Sequence, residues 1–136
     1  MSIDSVLRGL ERLKMNMEYT KSMFESLPAY IRYYAISDFK SGTGMDFNEW
    51  INEVNNMLRM VEAMKTSPSK DYATILEKFS NSLLRLINYV KGLKQKIDYL
   101  PPGLIPNINE IVEKFSSTAV ELESLRGEID NLRKLL

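Results

Sequence analysis

Four carboxylates, Asp4, Glu11, Glu18 and Glu25, recur every seven residues at the start of the chain. Acids in register on one helix could share a metal ion or divide acid and base work. A di-iron bundle, however, also needs inward Glu-x-x-His motifs, and the sequence has no histidine. Each of the four acids directly follows an apolar position, and Arg8, Lys14 and Lys21 stand three or four residues away. The row therefore reads as a solvated helix face with ion pairs worth about a few tenths of a kcal/mol each. With no cysteine either, thiol chemistry, disulfides and the usual zinc ligands are out. No Gly-x-Ser-x-Gly, phosphate loop or dinucleotide fingerprint occurs. No catalytic, cofactor-binding or metal residue is assigned, and the chain is not expected to be an enzyme.

Basic residues gather in one segment, where Lys70, Lys78, Arg85, Lys91, Lys94 and Lys96 outnumber Asp71, Glu77 and Asp98. Arg85, Lys91, Lys94 and Lys96 are the candidates for phosphate contact. On a helical wheel they scatter: Lys78, Arg85 and Lys96 flank the apolar stripe on one side, Lys94 on the other, and Lys91 lies behind. That distribution suits solvation and snorkelling. The whole chain balances 18 basic against 18 acidic residues, which gives no general grip on nucleic acid or anionic lipid.

The least ordinary stretch is aromatic. Tyr30, Arg32, Tyr33, Tyr34, Phe39 and Lys40 crowd into eleven residues. Tyrosine and arginine are favoured at interface hot spots, and aromatics beside cations can also stack on bases. Leu104 and Ile105, inside the turn Pro101–Pro106, are expected at the same end of the molecule. Tyr30, Arg32, Tyr33, Tyr34, Phe39, Leu104 and Ile105 are the candidate protein-contact residues. Within them, Tyr30 and Tyr34 are expected to pack inward, with Arg32 and Tyr33 facing out. Met15, Met17, Met23, Met57, Met60 and Met64 are read as filling irregular core space.

These residues need elements to hold them. Apolar residues alternate at three and four positions in four unbroken runs. They run from Ile3 to Leu27, from Phe47 to Met64, from Tyr72 to Leu100 and from Ile108 to Leu136. A strand would need period two. Pro28 re-aims the chain after the first run, and Pro101-Pro102-Gly103 stops the third. Asp46 with Glu49, and Asn107 with Glu110, have capping-box spacing, and Ser67 or Ser69 can cap the third run. The spacing predicts helices over 2–27, 46–66, 69–100 and 107–136, a short helix near 29–39, and a loop at 41–44. Short connections force antiparallel neighbours, so the fold expected is all-α. It is an antiparallel up-down four-helix bundle with coiled-coil-like packing, in one domain spanning 1–136. The second long helix is too short to cover its partners, leaving 90–117 to be covered by the aromatic connector.

No run of 18 apolar residues occurs, and the start MSIDSVLRGLERLK lacks the pattern of a signal peptide, so a cytoplasmic protein is expected. In size and helix content the chain is similar to small helical subunits of CRISPR ribonucleoprotein effector complexes and to archaeal-virus helical proteins. The leading expectation is a non-catalytic protein-interaction or scaffolding module. Its partner would be another protein or a second copy; no cofactor, membrane or small-molecule substrate is expected. The alternative is a nucleic-acid-associated accessory subunit.

Overall fold

A computed structural model describes residues 3–136; it is 84% helical, with no strand among the described residues. The helices are α1 (Ile3–Glu25), α2 (Ala29–Thr43), α3 (Phe47–Met64), α4 (Asp71–Asp98) and α5 (Ile108–Leu135). The expected first residue of α1, Ser2, lies outside the described residues. No helix among them is long and apolar enough to cross a membrane.

Several ends follow from capping chemistry. Asp46 and Glu49 form the expected capping box, Glu49 N–H donating to Asp46 Oδ1 at 2.8 Å. Ser69 Oγ accepts from the Asp71 N–H at 3.2 Å. Asn107 does not form the box expected with Glu110. Its backbone is left-handed, at φ 59°, and its side chain makes no capping bond. A side-chain N-cap needs an extended backbone at that residue, which the tight proline turn does not leave.

The larger correction concerns α2. The stretch 41–44 reads as a loop by composition, yet the helix runs through Thr43 and ends at Gly44, left-handed at φ 88°. Buried Thr43 makes this possible. Its hydroxyl donates back to the Phe39 carbonyl at 2.8 Å and accepts from Trp50 Nε1 at 2.9 Å, so no polar group is stranded. Gly42 serves a close approach, since a Cβ there would lie 2.3 Å from Cδ1 of Tyr89 on α4.

The seam residues pack as one core. Trp50, Val54, Met57 and Val61 on α3 meet Val6, Leu10, Leu13 and Met17 on α1, and the run continues through α4 and α5. Thr20 and Thr118 occupy seam positions and satisfy their hydroxyls on the carbonyls of Asn16 and Lys114. Cross-contacts run in opposite order along α4 and α5: Glu77 pairs with Arg133 at 3.7 Å, Ser80 with Asp130 at 2.8 Å, and Lys91 with Glu123. Asp4, in the first turn of α1, meets Lys65 at the end of α3 at 2.9 Å, and Asn16 of α1 meets Glu121 of α5 at 2.8 Å. Lys65 holds the Asp4 carboxyl below its usual range, an exposed pairing. The acidic row Asp4, Glu11, Glu18 and Glu25 is exposed along its whole length.

Two glycines predict opposite outcomes. Alanine is favoured over glycine in a helix by about 1 kcal/mol. Gly127 faces open space, so Gly127→Ala should stabilise the protein by up to that amount, about 1 kcal/mol. Gly42→Ala must displace the Tyr89 ring and should destabilise by about 1–3 kcal/mol. Denaturant midpoints moving the same way for both variants would show that α2 does not sit against Tyr89.

Candidate binding groove

At one end of the molecule, α2 lies against the last turns of α4 and the end of α1. α4 and α5 have 28 residues each and α3 has 18, so α3 is shorter by about 15 Å. α2 takes up part of that space, as the lengths required, but its cover is incomplete.

The anchor is an aromatic cluster. Phe39 stacks on Phe47 with ring centroids 3.9 Å apart, and meets Phe24 and Tyr89 edge-on at 6.0 and 5.5 Å. Phe115 of α5 joins through Phe24 at 6.2 Å. Beside it, the Tyr89 hydroxyl donates to Asp38 at 2.9 Å, and Lys96 Nζ donates to both Asp38 oxygens at 3.1 and 3.0 Å. Lys96 also lies 4.9 Å above the Tyr89 ring. Burial first, and then the hydrogen bond to Asp38, push the Tyr89 phenol well above its ordinary range, so it stays a neutral donor. The three side chains tie α2 to α4.

Between this tie and the proline turn lies an open apolar groove of about 620 Å³. Met23 comes from the end of α1 and Leu27 from the link after it, Ile31, Tyr34 and Ala35 from α2, and Leu93, Ile97 and Leu100 from α4 and the residues just after it. Ile105, Ile108, Ile111 and Phe115 close it from the turn and α5. Many of these aliphatics are half-buried, in contact with the core on one side and open on the other. Ser37, Asp38, Ser41, Tyr89 and Lys96 supply its polar groups, all on the α2–α4 side.

The expected contact residues divide. Tyr33 is exposed, as expected, with its ring 5.7 Å from that of Tyr34. Tyr30 and Tyr34 do not pack inward; they are 61% and 71% exposed. Tyr30 instead donates its hydroxyl to the Leu104 carbonyl at 2.8 Å, bridging α2 to the turn. Arg32 is exposed, but its Nε donates to the Leu27 carbonyl at 3.0 Å, in the link between α1 and α2. Phe39 is a core residue, 2% exposed, and is not available as a surface contact. Leu104 and Ile105 are half-buried, and Ile105 faces the groove.

The inward face of α2 is Ile31, Ala35, Phe39 and Thr43, four residues apart, with Asp38 and Gly42 beside them against Tyr89. Sequence reading misses it because a small residue and a threonine between two glycines occupy two of these positions. It also misses Tyr99, which is 90% exposed just beyond α4. Among the candidate phosphate-binding residues, Lys91 pairs with Glu123 and Lys96 with Asp38. Arg85 lies beside Gly44, and Lys94 is exposed on another flank. The structure does not bring these four into one patch.

Comparison with known protein families, curated proteins and solved structures finds no match for this chain.

Proposed function

We propose that the protein is a non-catalytic interaction module acting through the end where α2 meets the α4–α5 turn. Its architecture is best read as an antiparallel bundle of α1, α3, α4 and α5 with coiled-coil-like packing. α2 is then the extra helix of the first connection. The neighbour order α3–α1–α5–α4 and the opposed cross-contacts support that arrangement.

The observation that carries the functional reading is a row of tyrosines left in water beside apolar surface. Tyr33 is 73% exposed, with Tyr30, Tyr34 and Tyr99 around the same end. Monomeric proteins rarely leave a contiguous aromatic and aliphatic patch open without a partner. Tyrosine offers a large rigid contact at low entropy cost. The partner is another protein or a second copy of the chain. The nucleic-acid alternative is weakened by the ion pairs that occupy Lys91 and Lys96.

Quantitative pull-down from the native host separates the readings. Arg32→Ala/Tyr33→Ala should lose the partners retained by wild type, while Glu11→Ala/Glu18→Ala should keep them. The reverse pattern places the contact at the other end. Titration with single- and double-stranded nucleic acid across a salt series is expected to show no saturable binding. A steep, salt-dependent isotherm would favour the alternative.

A further inference from the structure

We propose that the groove beneath α2 is a binding site for a free single-chain amphiphile with an uncharged, hydroxyl-bearing head. This goes beyond the interaction reading and does not depend on it.

Size points to a small ligand. A volume of about 620 Å³ falls within the range of about 300–1,000 Å³ typical of small-molecule sites. An apolar cavity of about 150 Å³ takes up benzene, so this one has room for on the order of 20 heavy atoms. A linear chain can run along Leu27, Ile31, Ile97, Ile108 and Ile111, which four different segments hold around the same space.

The head group follows from charge. The polar groups lie on the α2–α4 side only. Asp38 and Lys96 neutralise one another there, and Tyr89 spends its hydroxyl on the same carboxylate. Because the two charges are already matched, the rim offers a charged head no unpaired counter-charge to meet. Ser37 and Ser41 stand one helical turn apart on this rim, and their hydroxyls can both donate and accept. A neutral head with hydroxyls matches them.

Calorimetric titration of the full chain with monolaurin tests this. The probe carries a twelve-carbon chain on glycerol and is kept below its micelle concentration. Saturable binding near one to one is expected. Ala35→Phe fills the groove from α2 and should weaken binding about tenfold or more, with the melting temperature maintained. Should that variant not fold, Ile111→Phe blocks the groove from α5. Laurate and dodecylamine carry the same chain with opposite charges, and neither should bind more tightly than monolaurin. Arg32→Ala/Tyr33→Ala should bind monolaurin like wild type, so failure of the interaction reading leaves this result untouched. Neutral phosphatidylcholine vesicles should not retain the protein. No saturable binding, binding indifferent to a folded groove-filling variant, tighter binding of either charged probe, or retention on vesicles without monolaurin binding each overturns the proposal.

Discussion

Phe39→Ala is expected to cost about 3–5 kcal/mol, at the top of the range for core truncations. The ring is buried where four helices meet, stacked on Phe47 and edge-on to Phe24 and Tyr89. Its removal forfeits apolar burial, leaves a cavity, and takes away three aromatic pairs worth about 0.5–1.5 kcal/mol each. The loss should also be local. α2 is held by Phe39, by the Asp38 tie to Tyr89 and Lys96, and by the Tyr30 bond to the turn. Without Phe39 the docked face keeps the Thr43–Trp50 bond and the half-buried Ile31, Ala35 and Ile36, but loses its one fully buried apolar side chain. Hydrogen exchange in 29–43 should therefore accelerate more than in α1 or α5, and the groove should lose its α2 wall. A denaturant midpoint within experimental error of wild type would mean that α2 is not docked on this cluster.

Truncating the seam itself should have a comparable effect, spread through the whole molecule. Leu83 and Leu122 are 0% and 2% exposed. Leu83→Ala or Leu122→Ala should each cost about 2–5 kcal/mol, depending on how far the surroundings collapse. Glu11 lies on the exposed acidic row, and Glu11→Ala should cost less than about 0.5 kcal/mol. Unlike Phe39→Ala, the seam variants should raise exchange in every helix together, because they lower global stability. Equal midpoints for the leucine and glutamate variants would overturn the assignment of buried and solvated faces.

The faces of the four long helices were legible in the sequence. A period of alternating three and four residues is a local property, carried by each helix whatever its neighbours are. Every seam position of α3, from Phe47 to Met64, is buried. The half-buried seam positions lie towards helix ends or just beyond them: Ile3, Tyr72, Ile97, Leu100, Ile108, Ile111 and Leu136. The Asp46–Glu49 box was legible for the same reason, since its donors and acceptors lie within one turn.

The polar tie between α4 and α5 was not legible. Ser80 is fully buried; its hydroxyl donates to Asp130 and its carbonyl accepts from Arg126 at 3.0 Å. Nothing near residue 80 announces partners some fifty positions away.

The candidate site was legible by location only. Helix lengths and the connector's aromatics marked the end of the molecule where the groove lies, because rise per residue and chain order suffice for that. Which aromatics face inward was a different matter. Tyr30, Ile31, Tyr33, Tyr34, Ile36 and Phe39 surround α2 on all sides, so composition prefers no face. The choice belongs to the surfaces that receive the helix. Tyr89 leaves room only for a glycine at 42, and Lys96 offers a partner for Asp38. The cleft at Phe24 and Phe47 accepts one more ring, Phe39. Once those three positions are seated, Tyr33 and Tyr34 turn to water, and Tyr30 reaches over to the Leu104 carbonyl. Residues 31 and 35 are left against the uncovered aliphatics of α4 and α5. The sequence thus determined the helices and their buried stripes, which depend on neighbours within one or two turns. Only the tertiary structure decided the orientation of α2 and the existence of the groove, because both depend on how surfaces distant in sequence fit together.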